Sequence, residues 1–332
     1  MILVTGASGL VGSHILLDLL KSGLQVKAIK RKNSDLSQLH AIFKAYVSKP
    51  EELLNNICWI DADVLDLHDL NAAFENVDQV FHCAAMVSYN PADKEKILEA
   101  NIDGTANIVN LSLQYKIKKL CYISSIASLG ISENDELITE ETYWEPNNSS
   151  STYSVSKFYA EMEVWRGIAE GLNAIIVNPS IILGYGNTSS TSIFRLIQHG
   201  FSYYTKGITG FVDVKDVSQL SIKLMNSDIS GERFILSSEN ISWQEIFNLI
   251  ADNFKVKRPN KYANSFLSGL AWRLEAVKSF FSRKSPSITR ETARSAHKIL
   301  LYSNAKIATK FDYKFKPVKS SIEEICQKLK EL

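Results

Sequence analysis

The stretch Ile2–Gly12, with the sequence ILVTGASGLVG, decides the fold of this 332-residue chain. Its first part, Ile2–Thr5, is typical of a short buried strand, and the apolar residues of Gly12–Lys21 recur at helical spacing. Glycines at positions 6, 9 and 12 allow a sharp turn and let backbone N–H groups approach a phosphate closely. A Gly-x-x-Gly-x-x-Gly turn between a strand and a helix therefore predicts a dinucleotide-binding site.

Short apolar runs alternate with helical patterns through the first half of the chain. The runs do not alternate polar with apolar residues, as expected for strands buried on both faces of a parallel sheet. They lie at residues 2–5, 25–30, 58–62, 79–84, 119–124 and 174–178, with helical patterns at 12–21, 100–115 and 153–170. This alternation predicts an α/β fold, a Rossmann-like doubly wound parallel sheet with helices on both faces.

The regular alternation ends after residue 178, and residues 180–210 are rich in glycine, serine and threonine. We predict an NAD(P)-binding domain over residues 1–178, and a smaller, mainly helical substrate-binding part over residues 179–210 and 238–332. Residues 211–237 are predicted to return to the first domain, with strands at Phe211–Asp213 and Phe234–Leu236 that join its sheet.

Two helical patterns fall outside this scheme. Leu36–Phe43 predicts an extra amphipathic helix inside a long insertion at residues 31–56, ended by Lys49-Pro50. Phe266–Phe281 predicts a second amphipathic helix, which we interpret as a lid or packing helix over the substrate site. The alternative is a helix that lies on a membrane surface.

The composition is that of an ordinary globular protein, with 45% hydrophobic residues, 22% charged residues and a net charge of +1. No global charge favours nucleic acid. No stretch approaches the roughly 20 apolar residues that cross a bilayer, and the first residues do not resemble a signal peptide. The four cysteines lie far apart, so no metal site is expected. We expect a cytoplasmic protein without stable membrane insertion.

The end of the second predicted strand, Ile29-Lys30-Arg31-Lys32, bears on the choice of cofactor. An NAD site usually has a carboxylate there for the ribose hydroxyls. Three cations without a carboxylate would instead attract a 2′-phosphate, which Arg31 grips through paired N–H groups. We therefore predict NADP(H), with NAD as the alternative, and expect Asp63 to contact the adenine amino group.

Tyr153 and Lys157 stand four residues apart, a spacing that places both on one helix face. A free phenol has a pKa of about 10, and a neighbouring lysine and an oxidised nicotinamide, both cationic, would lower it. Tyr153 is thus predicted to be a general acid/base. Ser124 and Ser125 end a central strand, where open parallel sheets bind ligands. Ser125 would hydrogen bond the substrate oxygen, whereas Ser124 would cap the strand end.

In their order along the chain, these motifs resemble the extended short-chain dehydrogenases/reductases of the NAD(P)-dependent epimerase/dehydratase type. The motifs are the glycine turn, Asp63, FHCAA at 81–85, Asn101 with Gly104-Thr105, YISS at 122–125, Tyr153 through Lys157, Asn178-Pro179-Ser180 and Val214–Val217. The nearest resemblance is to the dihydroflavonol reductase and 3β-hydroxysteroid dehydrogenase branch, which shares the basic end of the second strand. The resemblance is strong over residues 1–217.

This resemblance implies a Ser125–Tyr153–Lys157 triad, with Lys157 also on the nicotinamide ribose. It implies a structural or water-binding role for Asn101, and a homodimer formed through the helices at 101–115 and 153–170. His82 is expected to be buried beside the sheet rather than catalytic. The full predicted cofactor-binding set is Gly6, Ser8, Gly9, Leu10, Val11, Gly12, Arg31, Lys32, Asp63, Val64, Cys83, Ala84, Ala85, Tyr153, Lys157, Asn178, Pro179 and Ser180.

The substrate pocket is expected between the loop after Ala85, residues 125–131 and the segments after Pro179. Predicted contacts are Met86, Ser125, Ile126 and Ile182, with Val87, Tyr89, Leu183, Phe194 and Phe201 as further apolar candidates. Only Arg195 within residues 181–201 offers a cation for a diphosphate.

We therefore predict an NADP(H)-dependent oxidoreductase that transfers a hydride reversibly between nicotinamide and a ketone, aldehyde or secondary alcohol. The alternatives are an NAD-dependent nucleotide-sugar epimerase or dehydratase, and a non-catalytic cofactor-binding protein.

Overall fold

The structure is a computed structural model that describes residues 1–88, 90–130, 136–143, 146, 150–186, 189–282 and 289–331, with the backbone alone at 189–190 and 276–282. The strands are β1 Ile2–Thr5, β2 Val26–Lys30, β3 Ile57–Asp61, β4 Gln79–His82, β5 Lys119–Ile123, β6 Ala174–Pro179, β7 Ile181–Leu183, β8 Tyr203–Tyr204, β9 Ile208–Asp213, β10 Glu232–Leu236, β11 Glu239–Ser242 and β12 Lys261–Tyr262. The helices are α1 Leu10–Lys21, α2 Ser37–Tyr46, α3 Pro50–Leu54, α4 Leu67–Phe74, α5 Lys94–Leu98, α6 Gly104–Gln114, α7 Thr152–Ala169, α8 Ser189–Gln198, α9 Val214–Met225, α10 Trp243–Phe254, α11 Ser265–Ser282, α12 Arg290–Ser295, α13 Ala305–Phe311 and α14 Val318–Lys330.

Seven parallel strands form the main sheet, in the order β10-β6-β5-β4-β1-β2-β3. The strand order reverses between β1 and β4, and such a reversal opens a crevice at the carboxyl ends of the strands. The loops that follow β1, β4 and β5 therefore meet at one edge. This sheet confirms the predicted α/β, Rossmann-like class.

Both faces of the sheet are covered, which explains why its strands lack polar alternation. On one face, α1, α2 and α9 pack on the sheet around a core that includes Ile15, Phe81 and Phe234. On the other face, α4, α6 and α7 bury Leu3 and Tyr122. The two layers hold the crevice at the top of the sheet between rigid elements.

The C-terminal part has its own sheet and core. β9 pairs with β7 in parallel and with β11 in antiparallel fashion, and α8, α10 and α14 pack around them. The prediction that Phe211–Asp213 joins the main sheet is therefore wrong, because Phe211 is buried in this separate core. Phe234–Leu236 does return to the main sheet, as β10 beside β6. Residues 180–210 are also more regular than predicted, with β7, α8 and β8.

The insertion at residues 31–56 folds into two helices instead of one. The predicted helix is found as α2, and the shorter α3 begins at Pro50. Leu39 and Phe43 are buried and pack with α1 residues in the core. The insertion thus enlarges the hydrophobic layer on that face. Among the described helices, none combines the length and the hydropathy needed to cross a membrane.

Candidate active site

The glycine turn, residues 5–12, runs directly beneath the end of β4. Gly6 adopts a left-handed φ of +63°, and a Cβ added there would lie 2.5 Å from the backbone nitrogen of Ala84. A Cβ on Gly12 would lie 2.3 Å from the carbonyl oxygen of Gly6. Side chains at these two positions are therefore excluded by backbone atoms, which keeps the turn compact and its N–H groups accessible.

The first turn of α1 is left open toward the crevice. Its N-cap, Gly9, is exposed, and no side chain among the described residues caps the helix. The first turn also contains no acidic residue. An uncapped helix N-terminus offers N–H donors and a partial positive charge to an anion. Ser8, Leu10 and Val11 line the same turn, so this part of the site fits a pyrophosphate.

A buried histidine ties the glycine turn to the neighbouring strand. His82 hydrogen bonds through Nδ1 to Thr5 Oγ1 at 2.7 Å and through Nε2 to Thr105 Oγ1 at 3.1 Å. Burial, together with repulsion from Lys157, lowers the pKa of His82 to about 3. The backbone N–H of Ala84 donates to Thr5 Oγ1. His82 is thus a neutral structural residue, as predicted.

Tyr153 lies in the first turn of α7, where Ser151 caps the helix by accepting the N–H of Ser154. The Ser125 side chain, just after β5, lies close enough to the Tyr153 phenol to influence its titration. Burial raises the pKa of Tyr153, and the Ser125 hydroxyl acts in the opposite direction. The raised pKa keeps the phenol protonated at neutral pH in this structure. The lowering predicted from the sequence requires the oxidised nicotinamide as well as Lys157, and it stays a prediction.

Lys157 lies one helical turn after Tyr153 and is fully buried. Its Nζ donates to the hydroxyl of Tyr122 at 2.7 Å and to the carbonyl of Ile123 at 3.0 Å. Burial lowers the pKa of Lys157 to about 7, although the charge of Glu161 opposes the shift. Tyr122, which the sequence did not single out, thus anchors the lysine beneath the site.

Glu161 continues the same helix face one turn further and is only 1% exposed. Its Oε2 accepts hydrogen bonds from Ser124 at 2.6 Å, Ser128 at 2.7 Å and Asn178 at 2.8 Å. Its Oε1 pairs with Arg233 of β10 at 3.1 Å. We call these five residues the Glu161 network; it joins α7 to the ends of β5 and β6 and to β10.

Sequence reasoning missed this network and assigned Ser124 wrongly. The Ser124 hydroxyl donates to Glu161 instead of capping the strand end. Ser125 is the residue that caps, because its Oγ accepts the N–H of Ala127. The i, i+4 spacing from Lys157 to Glu161 was the available signal, since it places both side chains on one helix face.

Asn101 connects the loop after β4 to the catalytic helix. It lies in a π-helical segment, Glu99–Asp103, a form common at functional sites. Its Oδ1 accepts the N–H of Met86, and its Nδ2 donates to the carbonyl of Met86 and to Ser156 Oγ. These contacts agree with the structural role predicted for Asn101.

The end of β2 differs from the predicted cluster of three free cations. Lys30 pairs with Asp61, which lies opposite it on β3 in the sheet register. A carboxylate is thus present, supplied by the neighbouring strand and not by β2 itself. Arg31 and Lys32 are exposed at the strand end. Asp63 Oδ1 accepts the N–H of Leu65 and so shapes the turn after β3.

Several other predicted cofactor residues lie along the crevice. Val64 packs against Gly104, and Cys83, Ala84 and Ala85 directly follow β4. Pro179 ends β6 between Asn178 and Ser180. Two buried oxygens of that segment, Asn178 Oδ1 and Ser180 Oγ, have no hydrogen-bond partner among the described residues. Because buried polar atoms normally find a partner, they fit a ligand with polar groups, such as a nicotinamide carboxamide.

Only some of the residues predicted to line the substrate pocket are accessible to a substrate in the structure. Met86 and Ile126 are partly exposed, and Val87 is exposed. Leu183 and Phe194 were wrongly predicted to line the pocket, because both are buried in the C-terminal core, where Phe201 also packs. Ile182 is partly buried against the main core. Tyr89 and Ile131 lie outside the described residues.

The sequence matches the NAD dependent epimerase/dehydratase family over residues 2–236. The chain belongs to this family. Its relatives include a Synechocystis protein named "Putative dihydroflavonol 4-reductase", 28% identical over 91% of this chain and 87% of that protein. Cinnamoyl-CoA reductase 1 of Petunia hybrida is 25% identical over 84% of this chain and 89% of that protein.

Solved structures also resemble this chain over almost its full length. The crystal structure of gox2253 has a TM-score of 0.82 at 27% identity, covering 100% of this chain and 98% of that one. The Bordetella bronchiseptica enzyme WbmH in complex with NAD+ has a TM-score of 0.76 at 17% identity, covering 99% and 98%. At such identity the second likeness concerns the fold alone. The family and its reductase relatives identify an NAD(P)-dependent oxidoreductase of the extended short-chain type.

Proposed function

We propose that this enzyme is an NADP(H)-dependent reductase or dehydrogenase that interconverts a ketone or aldehyde with an alcohol. The observation that carries the proposal is the proximity of the Tyr153 phenol to the Ser125 hydroxyl, one helical turn before the buried Lys157. A protonated phenol and a hydroxyl after β5 are the two groups that reduction of a carbonyl requires. When bound, the nicotinamide supplies the hydride.

Within this proposal, each residue of the triad has a separate task. Tyr153 gives its proton to the substrate oxygen during reduction and removes it during oxidation. Ser125 donates a hydrogen bond to the same oxygen. Lys157 holds the nicotinamide ribose and, when protonated, stabilises the Tyr153 phenolate. The Glu161 network holds Ser125 in place indirectly, because Asn178 donates to the carbonyl of Ser125.

The preference for NADP(H) is supported by the exposed Arg31 and Lys32, which are available to a 2′-phosphate. The pairing of Lys30 with Asp61 leaves two cations for this purpose instead of three. An apolar or aromatic substrate is supported by the apolar, solvent-accessible side chains of Met86 and Val87 after β4 and of Ile126 after Ser125. The two reductase relatives, a dihydroflavonol 4-reductase and a cinnamoyl-CoA reductase by name, agree with an aromatic carbonyl compound.

The decisive experiment is a screen of aromatic and aliphatic carbonyl compounds with NADPH, run in parallel with wild type and Tyr153→Phe. Removal of a general acid should lower kcat by about 10²–10⁴-fold. NADPH affinity, measured by fluorescence titration, should stay within a few-fold in the variant. Turnover that persists unchanged in Tyr153→Phe would overturn the assigned role of the phenol.

The alternative of a nucleotide-sugar epimerase is favoured by one observation, the match to the NAD dependent epimerase/dehydratase family over residues 2–236. An epimerase should be purified with bound NAD, whereas a reductase should exchange NADPH freely. Arg195, the cation expected to serve a diphosphate, is exposed on α8. Heat release followed by chromatography of the supernatant distinguishes the two functions, since stoichiometric NAD would indicate the epimerase.

Two further expectations belong to the same proposal. We propose that residues 1–178 with 214–237 form the cofactor-binding unit and that the rest forms the substrate-binding part. We also propose a homodimer through α6 and α7, because Tyr159 and Met162 of α7 are exposed apolar side chains. Light scattering of wild type and Met162→Glu tests the dimer, and an unchanged dimer in the variant would contradict this interface.

A further inference from the structure

Positive charge is concentrated in one segment of an otherwise acidic chain. Residues 255–298 contain eleven lysines and arginines but only two acidic residues, for a net charge of +9. Because the whole chain carries +1, the remaining residues carry −8. The described and exposed cations of this segment are Lys255, Lys257, Arg258, Lys261, Arg273, Arg290, Arg294 and Lys298. Arg258 is paired with Asp252; the other cations of this segment make it the part of the chain best suited to an anionic partner.

The same segment exposes a stripe of large apolar side chains on α11. Phe266 is 81% exposed, Leu270 45% and Leu274 63%. Their spacing of four residues places them on one face of the helix, with Leu267 beside them. A cluster of this kind is unusual on a protein surface unless it meets a partner or a membrane.

The opposite side of α11 is held by the rest of the fold. Ser268 Oγ hydrogen bonds His297 Nε2 at 2.9 Å, beyond α12. At the start of the helix, the N–H of Leu267 donates to Asn264 Oδ1. The stripe therefore belongs to a helix whose other side has contacts in the fold.

Cations and aromatic rings are paired around this helix. Lys261 of β12 lies over the ring of Tyr203 of β8, and Lys206, which follows β8, lies over the ring of Tyr262 of β12. The Tyr203 and Tyr262 side chains are themselves exposed. Aromatic and basic side chains of this kind are enriched where proteins meet the headgroup region of a bilayer. We call the α11 stripe and the surrounding cations the basic apolar surface.

We propose that the basic apolar surface docks this enzyme reversibly on an anionic lipid membrane. The stripe would enter the boundary between headgroups and acyl chains, and the cations would contact lipid phosphates. The other candidate occupants fit less well. A second copy bound through the same surface would bring two strongly positive segments together. A nucleic acid would pair with the cations through its phosphates but would leave the apolar stripe exposed to water.

Vesicle co-sedimentation tests the proposal with the full-length chain. We suggest vesicles of phosphatidylcholine alone and vesicles with roughly one-third phosphatidylglycerol, at about 0.1 M and 0.5 M NaCl. The stripe variant is Phe266→Ser with Leu270→Ser and Leu274→Ser. The charge variant is Lys257→Glu with Lys261→Glu and Arg273→Glu. A matched control combines Leu24→Ser with Lys310→Glu, two exposed positions elsewhere on the protein.

Binding should require the anionic lipid, should weaken at the higher salt concentration, and should fall at least about tenfold in each α11 variant. The control should bind like wild type, and all three proteins should keep NADPH binding and the wild-type melting temperature. Absence of binding to anionic vesicles would overturn the proposal. So would a dimer that the stripe variant abolishes, or retention on nucleic acid that the charge variant alone abolishes.

The substrate reaction and the membrane contact are separable in this test. Because the readout is vesicle binding, it succeeds or fails whether or not the proposed carbonyl reduction is observed.

Discussion

The glycine turn and the Glu161 network lie at the same edge of the sheet but are assembled in opposite ways. The turn uses backbone atoms of eight consecutive residues and excludes side chains at Gly6 and Gly12. The network uses buried and partly buried side chains from four separate elements, with Ser124 and Arg233 more than a hundred residues apart. The cofactor end of the site therefore depends on local geometry. The substrate end depends on the completed fold.

Removal of the Glu161 carboxylate should produce the largest loss of stability. Glu161→Ala leaves the partly buried Arg233 without its charge partner and removes the carboxylate that accepts hydrogen bonds from Ser124 and Ser128. We expect a loss of about 3–5 kcal/mol in the free energy of unfolding. Urea denaturation measures it.

The matched control is Glu163→Ala on the same helix, which removes a surface pair with Arg166 worth about 1 kcal/mol or less. If the two variants had the same free energy of unfolding, the Glu161 network would contribute no more to stability than a surface ion pair.

Gly12→Ala tests how strictly the glycine turn excludes a side chain. The added Cβ would meet the carbonyl oxygen of Gly6 at 2.3 Å, so the turn must shift. We expect about 1–3 kcal/mol of destabilisation, with weaker NADPH binding in a fluorescence titration. Gly269→Ala on α11 is the control, since its Cβ meets only the flexible Arg273 guanidinium at 3.4 Å. Normal cofactor affinity in Gly12→Ala would show that the turn tolerates a side chain.

Lys157 shares helix α7 with Glu161, and its titration should change the free energy of unfolding with pH. Its pKa is about 7 in the folded protein and near 10.5 when unfolded. Between these values the unfolded chain binds more protons, so stability should rise with pH. Relative to Lys157→Met, wild type should gain about 2 kcal/mol from pH 7 to pH 9. Chemical denaturation at several pH values measures this difference; a difference that stays constant would place the lysine pKa outside the window.

The smallest expected effect concerns the cofactor phosphate. Arg31→Ala should weaken NADPH binding about tenfold, a difference near 1.4 kcal/mol, and should leave NADH binding unchanged. Lys44→Ala, an exposed cation on α2, serves as the control. Equal losses for NADPH and NADH would remove the support that Arg31 gives to NADP(H).

Sequence reasoning succeeded where the information was local. Strand and helix periodicity, the glycine turn and the Tyr153–Lys157 spacing all depend on residues close in the chain, and the main sheet follows from their alternation. The family resemblance added the order of the motifs, and the family match over residues 2–236 confirms it.

The errors concern partners that lie far apart in the sequence. Lys30 meets Asp61 across β2 and β3, Ser124 meets Glu161, and Phe211 turns to a separate core. Apolar spacing shows that a segment is a buried strand, but it does not specify which sheet the strand joins. Spacing also does not predict the partner of a buried charge, because that depends on strand order and register.

The position of β10 has a consequence for synthesis of the protein on the ribosome. β6 ends at Pro179, and its outer neighbour begins only at Glu232, about 50 residues later. At ordinary rates of translation, the nascent chain carries an open β6 edge for roughly 3–10 s. During that time Arg233 of β10, the ion-pair partner of Glu161, has not yet been synthesised. Chains interrupted between these two strands should therefore aggregate through that edge, whereas chains that extend past Leu236 have the strand that closes it.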